Sequence, residues 1–377
     1  MRLNEGEERV CIMLRRKKLL LSLIVLPTLI ASLAFTFGAV HPSLAANALT
    51  SLTDYHVPSG LDPWGTAFDG AGNVWVAVPG CNPNPDCGSR TSPGKIEEFN
   101  PTTSTWITTY NLPSGWGQAL FLQFDSSGNL WFPMFHTNQL GEMLAFDHSF
   151  HVWTMPSPAS GPWDLVFDHN GNLWITEHFL NKVAEFDPTT DQFVKEYATP
   201  ATASNPYGIT VDANNNIWFT ENNSADTYIA EVTSAGILQE YTIRTGSASN
   251  LTPHLLTIDP VTGNVWWTEG FVGEIGELKI AQAIPGTNAG VYEYTYPRIN
   301  GSSTHTSGIS IDSNGLVWFD DSLQNTFGSF LDTGTGSFSM YNAPSSRSHP
   351  HDGLRVDSSN RIWFDEQYAE KLAEAVQ

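Results

Sequence analysis

The sequence predicts an all-β protein, a seven-bladed β-propeller, and three observations support this fold class. One unit of the type D-x-x-G-N-x-W recurs seven times from residue 50 onward, at steps of 43 to 56 residues. Each copy combines β-branched and aromatic segments with an Asp/Asn/Gly turn, which is typical of propeller blades. No part of this region shows a sustained 3.6-residue period, so a solenoid of helix pairs is excluded.

The repeat unit divides into strands in a regular way. A short apolar strand ends at an aspartate, a turn follows in which Gly accepts a positive φ, and the tryptophan strand comes next. A third strand and an outer strand complete the unit. We expect the seven tryptophans to pack between neighbouring blades. They are Trp75, Trp131, Trp174, Trp218, Trp266, Trp318 and Trp363.

The outer strand carries its own signature, an aromatic residue followed three positions later by proline, as in "YHVP" at Tyr55 and "YATP" at Tyr197. Proline suits the end of an edge strand, where no ladder hydrogen bond is lost. The first outer strand precedes the first tryptophan, and the chain stops after the third strand of the seventh unit. We therefore predict that the N-terminal outer strand completes the last blade and closes the ring, and we expect a monomer.

Residues 1–48 differ from the repeat region and predict an export signal or an N-terminal membrane anchor, with the propeller occupying 49–377. Four cations, Arg15 to Lys18, precede an apolar run from Leu19 to Phe37, and small residues at Ala46 to Ala48 resemble a cleavage site. The run is also long enough to span a bilayer uncleaved. We expect a secreted or extracytoplasmic protein, whose only membrane contact would be such an anchor.

Charge and cysteine usage narrow the classes of partner. The chain has 17 basic and 39 acidic residues and a formal charge of −22, so nucleic acid binding is excluded by repulsion from phosphates. Cys81 and Cys87, in "CNPNPDC", predict a local disulfide in an oxidising compartment. A zinc site is disfavoured because one such pair lacks the second half of a tetrahedral ligand set.

The residues just before the first strand of each blade are expected to converge on one mouth of the central channel. An aromatic and apolar arc there faces a polar arc, which is the usual character of a small-molecule site. We predict that Trp64, Trp163, Tyr207 and Asp352 contact a small-molecule or cyclic peptide ligand. The full ring is Trp64, Leu120, Trp163, Tyr207, His254, Ser307 and Asp352.

A second ring is predicted from the third residue after each tryptophan: Val78, Met134, Glu177, Glu221, Glu269, Asp321 and Glu366. Five carboxylates converging on one mouth would raise one another's pKa values unless a cation were bound. Oxygen ligands favour Mg²⁺ or Ca²⁺ over zinc. We predict Glu221, Glu269, Asp321 and Glu366 as metal ligands. The alternative is that each acid accepts a hydrogen bond from a neighbouring backbone N–H.

The repeats resemble those of the streptogramin B lyases (virginiamycin B lyase), over about residues 50–377. "PYGITVDANNNIWFTE" at 206–221 and "PHLLTID" at 253–259 carry the resemblance. It implies a carbon–oxygen lyase of antibiotic resistance that opens a cyclic depsipeptide by elimination. In that chemistry Mg²⁺ polarises the ester, and a histidine takes part in removing the α-proton.

The functional residues of that family lie in a P-H pair of the sixth blade and in E-P-H-G and W-F-x-x-E of the seventh. Here "THTSGIS" places Ser307 at the histidine position, with His305 two residues earlier. In "SHPHDGL" the histidine position is taken by Asp352 in regular register, or by His351 if the loop bulges by one residue.

If the P-H pairs are aligned, the resemblance places His349 at the family's carboxylate before P-H. "WFDEQ" places Glu366 one residue before the family's glutamate position, which Gln367 occupies. The catalytic candidates are therefore His351, His254 and His305. The sequence is also compatible with two other functions. One is a non-catalytic propeller that binds a ligand or partner, since this fold is widely used for recognition. The other is a gluconolactonase-like metal hydrolase that uses the carboxylate ring.

Overall fold

The computed structural model describes residues 48–58, 62–81, 93–224, 227–244, 250–332 and 336–377, all of which belong to the unit Leu44–Gln377. The predicted signal or anchor segment lies outside these residues, apart from Ala48. Among the described residues, no helix has the length and hydropathy needed to cross a membrane.

Seven four-stranded antiparallel sheets make up the propeller, which confirms the predicted fold class. Blade 1 contains β2 (Thr66–Phe68), β3 (Val74–Val78), β4 (Lys95–Asn100) and β5 (Thr105–Asn111). Blade 2 contains β6 (Gln123–Phe124), β7 (Leu130–Met134), β8 (Gln139–Met143) and β9 (Phe150–Thr154). Blade 3 contains β10 (Pro162–Phe167), β11 (Leu173–Glu177), β12 (Lys182–Asp187) and β13 (Gln192–Ala198). Blade 4 contains β14 (Pro206–Val211), β15 (Ile217–Glu221), β16 (Tyr228–Val232) and β17 (Leu238–Thr242).

The remaining blades follow the same order. Blade 5 contains β18 (Pro253–Ile258), β19 (Val265–Glu269), β20 (Glu274–Leu278) and β21 (Val291–Thr295). Blade 6 contains β22 (Ile309–Ile311), β23 (Val317–Asp321), β24 (Thr326–Leu331) and β25 (Ser337–Asn342). Blade 7 contains β26 (Arg355–Val356), β27 (Ile362–Glu366), β28 (Lys371–Val376) and β1 (Ser51–His56). Short 3₁₀ turns occupy Gly270–Val272, Ile280–Gln282 and Gln367–Ala369.

The ring closes as predicted, because β1 pairs antiparallel with β28 over six residue pairs. Tyr55 of β1 packs against Trp363 of its own blade, with ring centroids 6.4 Å apart, and against Phe99 of blade 1 at 4.5 Å. The N-terminal strand therefore pairs with the last blade through backbone hydrogen bonds, and Tyr55 joins that blade to the first through a partly buried aromatic contact.

The recurrent aspartate and tryptophan of the repeat form one hydrogen-bonded unit. In blade 1, Asp69 accepts two turn N–H groups, from Ala71 and Asn73, and the indole N–H of Trp75 at 3.0 Å. The same indole–aspartate bond occurs in five other blades. Blade 5 differs because its turn is one residue longer. The motif thus builds the turn and anchors the tryptophan, as expected for a structural repeat.

A second set of contacts joins blades near the channel. Two positions after the tryptophan, Thr176 donates to the carbonyl of Tyr207 at 2.9 Å, and Thr268 donates to that of Ser307 at 2.7 Å. Thr220 makes the equivalent bond to His254. Each bond connects one blade to the first strand of the next or, at Ser307, to the residues just before it. These buried hydroxyls therefore fix the spacing of the residues that face the channel.

Candidate functional site

A cavity of about 370 Å³ opens at the predicted mouth of the channel. Residues at or just before the first strands of blade 1 and blades 3 to 7 supply one part of its wall, and residues that follow the tryptophan strands of blades 3 to 7 supply the other. Its lining is aromatic and rich in imidazole. The lining residues are Trp64, Trp163, His178, Tyr207, Asn222, Thr252, His254, Phe271, His305, Leu323, His349, His351 and Tyr368. All three predicted catalytic histidines and three of the four predicted ligand contacts are brought together here.

The entry to blade 7 is bulged, and this decides which side chain reaches the mouth. The carbonyl of Ser348 accepts a hydrogen bond from Tyr368 N–H, as that of Ser160 does from Phe179 N–H in blade 3. The stretch from Ser348 to the turn aspartate of blade 7 is one residue longer than its counterpart in blade 3. His351 therefore lines the cavity, and the predicted ligand contact Asp352 is buried behind it.

His351 and Asp352 form a buried ion pair. His351 Nδ1 lies 3.4 Å from Asp352 Oδ2, which is close for an ion pair but long for a hydrogen bond. Asp352 Oδ2 accepts the hydroxyl of Tyr207 at 2.6 Å, and Oδ1 accepts that of Ser307. Burial opposes the charge on both groups, but their mutual attraction outweighs it. The pKa of His351 is raised to about 9 and that of Asp352 is lowered to about 2.

His254 and His305 meet edge to face, with Nε2 atoms 3.2 Å apart, and the ring of His305 stacks on that of His351 at 5.1 Å. His254 Nδ1 lies 2.7 Å from the carbonyl oxygen of Thr252 and must donate to it, because a carbonyl only accepts. His254 Nε2 is then an acceptor, and His305 Nε2–H donates to it. Burial lowers the pKa of His254 to about 4 and that of His305 well below its ordinary value, so both imidazoles are neutral.

Two further histidines line the cavity. Neither was among the predicted catalytic residues, although the resemblance had placed His349 at a carboxylate position of the family. His349 stacks between His351 and Tyr368, with ring centroids 5.4 and 4.3 Å apart. His178 stacks on Trp163, and its Nδ1 lies 3.1 Å from the carbonyl of Pro206. The mouth therefore presents five imidazoles.

An apolar collar surrounds the imidazoles. Four blades place a large apolar side chain at the fifth position after the tryptophan, and these side chains are about half exposed: Phe179, Phe271, Leu323 and Tyr368. Exposed apolar groups clustered around a concave site mark a surface that binds an apolar ligand. The recurrence of this position in the repeat was the signal that could have found the collar from the sequence.

The structure does not bring the four predicted metal ligands together, which corrects the expected carboxylate ring. Glu221, Glu269, Asp321 and Glu366 are fully buried, and none of them lines the cavity. Asp321 accepts backbone N–H groups of His305 and Gln324, and Glu366 accepts that of Ser345. For these two residues the alternative of backbone pairing is confirmed. The physical reason is that Asp321 and Glu366 face the linkers entering their own blades rather than the channel.

Glu269 also faces the linker that enters its own blade, but its partner there is the cationic side chain of Arg244 rather than a backbone N–H. Within the described parts of the chain, the one group of three acidic or metal-ligating side chains close enough to share an ion is Glu269, Glu274 and Glu293. Arg244, from the linker into blade 5, lies 2.5 Å from Glu274 Oε2 and donates to Glu293 at 3.1 Å. Its guanidinium is 3.9 Å from Glu269. This cluster already contains its own cation.

Blades 6 and 7 carry buried aspartates, Asp320 and Asp365, at the position where blades 3 to 5 have threonine. Asp365 Oδ1 accepts the N–H of Gly353 at 2.9 Å, while Oδ2 has no partner among the described residues. Burial raises the pKa of Asp365 to about 7 and that of Asp320 well above its ordinary value. A protonated carboxyl can donate a hydrogen bond, as the threonine hydroxyl does.

The raised pKa of the buried Asp365 carboxyl predicts that the stability of the fold depends on pH. The folded pKa of Asp365 lies above the unfolded value of about 3.9, so its contribution is complete below pH 4 and is lost as the pH rises through 7. We expect the free energy of unfolding to fall by roughly 3–4 kcal/mol over that range from this group. Asp365→Thr should flatten the dependence, measured by chemical denaturation between pH 4 and pH 8. An unchanged slope in the variant would refute a protonated Asp365.

Cys81 is buried and disulfide-bonded. Its predicted partner Cys87 lies outside the described residues.

Fold and site together define a class: a seven-bladed propeller with a histidine-rich ligand cavity at one mouth of its channel. The model of the virginiamycin B lyase family matches residues 50–278 and 107–376. The chain belongs to that family. No curated protein sequence is similar enough to this chain to count as a relative.

Solved structures share the fold at low identity. Virginiamycin B lyase from Staphylococcus aureus superposes with a TM-score of 0.72 at 22% identity, over 87% of this chain and 99% of that chain. The same values hold for its catalytically inactive histidine-to-alanine variant with quinupristin. A streptogramin B lyase structure gives a TM-score of 0.71 at 21% identity, over 86% and 97% of the two chains.

The Mg²⁺ that the resemblance implies does not fit the donor atoms of this mouth. Mg²⁺ prefers carboxylate, carbonyl and water oxygens, and no carboxylate occurs among the described lining residues. Asp352, which is buried behind His351, has both oxygens engaged by hydroxyl donors. The two family positions for carboxylates carry His349 and Gln367 instead, and His349 Nδ1 lies 2.9 Å from Gln367 Oε1.

Proposed function

We propose that the mouth binds a cyclic depsipeptide of the streptogramin B type and opens its ester ring by β-elimination, with His351 as the general base. The observation that carries this proposal is the bulge at the entry to blade 7, which presents His351 to the cavity with Asp352 behind it. The family match supports the reaction class, and the mechanism below uses only side chains of this chain.

The proposed step needs one proton acceptor at the cavity surface. Asp352 holds the Nδ1 side of His351, which leaves Nε2 as the nitrogen that exchanges a proton with the ligand. In the neutral imidazole of His351, the unprotonated Nε2 takes the α-proton of the ligand residue whose side-chain oxygen forms the ester. The electron pair of that C–H bond becomes the Cα=Cβ double bond. The Cβ–O bond breaks, and the carboxylate leaves with its electrons. No water is consumed.

The walls of the cavity suit such a substrate. The indole N–H of Trp64 is buried beside His351 and has no acceptor among the described residues. We propose that it turns toward the bound ligand and donates to a carbonyl, where negative charge grows as the proton leaves. The collar of Phe179, Phe271, Leu323 and Tyr368 offers apolar contact to a macrocycle that spans the mouth.

The direct test is incubation of the purified propeller with quinupristin, followed by mass spectrometry. Elimination gives a linear product of unchanged mass that carries a new double bond, detected by its fragmentation. A gain of one water would indicate hydrolysis and refute the proposed reaction. Trp64→Phe, which keeps an aromatic ring and loses the donor, should slow ring opening without preventing ligand binding.

Binding without reaction is the second candidate, favoured by the loss of both family carboxylates from the last blade. It predicts saturable association with quinupristin and no product. The lactonase alternative required a carboxylate ring at the mouth, and the described residues of the mouth do not supply one.

A further inference from the structure

The histidine pair at the cavity wall has the geometry of two ligands of one metal ion. Tetrahedral zinc at 2.0–2.1 Å from each nitrogen places its ligand atoms roughly 3.3–3.4 Å apart. His254 Nε2 and His305 Nε2 are 3.2 Å apart, and both rings line the cavity. Without an ion, a proton on His305 must lie between the two nitrogens.

The outer nitrogens are held in the manner of metal-binding histidines. His254 Nδ1–H donates to the carbonyl of Thr252, which fixes the lone pair on Nε2. His305 Nδ1 lies 3.0 Å from Ser322 Oγ, which can accept from it if the Nε2 proton is displaced. Such outer contacts orient the ring and strengthen the donor nitrogen.

We propose that His254 and His305 form a site for a borderline divalent metal, Zn²⁺ or Co²⁺, in place of the oxygen-bound Mg²⁺ expected from the family resemblance. Imidazole suits these ions better than it suits Mg²⁺. No third His, Cys, Asp or Glu donor in the described ranges lies close enough to join the pair. The remaining positions on the ion therefore face the cavity and are open to water or ligand.

The test uses untagged, chelator-treated protein titrated with Zn²⁺ by calorimetry and with Co²⁺ by visible absorption, both without substrate. We expect one equivalent to bind, with affinity at least tenfold lower in His254→Ala and in His305→Ala. Ser322→Ala, which keeps both imidazoles, should weaken binding to a smaller extent. His169→Ala is the matched control, an exposed histidine away from the mouth, and should bind as the parent does.

Failure of the parent protein to bind Zn²⁺, or binding by His254→Ala and His305→Ala with the affinity of the parent, would overturn the site. Binding lost in His169→Ala instead would place the metal elsewhere and overturn it as well. Mg²⁺ at millimolar concentration should not displace Zn²⁺. Displacement would indicate a site of oxygen ligands that prefers Mg²⁺, and would contradict a site formed by the two imidazoles. Because no substrate is used, a protein that binds Zn²⁺ and leaves quinupristin intact supports this site while refuting the proposed lyase.

Discussion

Replacement of His351 by glutamine is expected to lower the rate of quinupristin ring opening by roughly 10²–10⁴-fold, the usual contribution of a positioned general base. Glutamine keeps a polar side chain of similar length at the bulge but cannot accept the proton. The measurement is single-turnover product formation followed by mass spectrometry. His169→Gln, which changes an exposed histidine away from the mouth, should retain the parent rate.

The rate of ring opening is expected to increase with pH if His351 is the general base. Asp352 is the main group that raises the pKa of His351 to about 9 against the opposing effect of burial, so the neutral base is scarce at pH 7. The rate should rise about tenfold per pH unit and level off near pH 9. Asp352→Asn removes the attraction and should move the plateau to lower pH. A profile that falls toward pH 9 would assign His351 as an acid and contradict its role as base.

Circular dichroism at each pH separates catalysis from unfolding. Removing the imidazolium leaves Asp352 buried with only hydroxyl partners, so His351→Gln will be less stable than the parent protein. The double variant His351→Gln/Asp352→Asn removes both charges and should regain stability without activity. Recovery of activity in the double variant would refute the base assignment.

Replacement of Arg244 by methionine is expected to lower the free energy of unfolding by about 2 kcal/mol, between the usual values for exposed and for buried ion pairs, because the guanidinium is partly exposed. Three carboxylates would then share one site with no cation. Burial already raises the pKa of Glu269 well above its ordinary value, and Glu293 and Glu274 raise it further. Chemical denaturation at pH 7 measures the loss.

Arg298→Met is the matched control, because Arg298 donates to the carbonyls of Val272 and Ser302. Its loss should cost about 1 kcal/mol or less. Adding Glu274→Gln and Glu293→Gln to Arg244→Met should restore most of the stability by removing the repulsion. If Arg244→Met is as stable as the parent protein, the carboxylates are protonated rather than paired, and the role of the guanidinium is refuted.

Much of the architecture follows from the repeat. The aspartate and tryptophan of each unit bond to each other in six blades, so the motif that marks a blade in the sequence also builds its turn. The phase difference between outer strands and tryptophan strands correctly predicted closure by β1. These inferences succeeded because they depend on local hydrogen bonds and on strand order.

The site was predictable in part for the same reason. Counting along the repeat correctly brought His254, Trp64, Trp163 and Tyr207 to one cavity. The same counting failed for the carboxylates, because it places the backbone near the mouth but does not say which way a side chain faces. The linkers into blades 5 and 7 offer donors to these carboxylates, Arg244 to Glu269 and the N–H of Ser345 to Glu366.

The sequence by itself determined a closed seven-bladed propeller with aromatic groups and histidines at one mouth. The reason is that the repeat fixes the register of the strands, although it does not fix the conformation of the loops between them. Tertiary structure alone decided the content of that mouth. One extra residue before β26 leaves every strand in register in either arrangement, and only packing against Trp64, His305 and Asp352 brings His351 to the surface of the cavity. The same packing leaves a mouth of imidazoles rather than carboxylates.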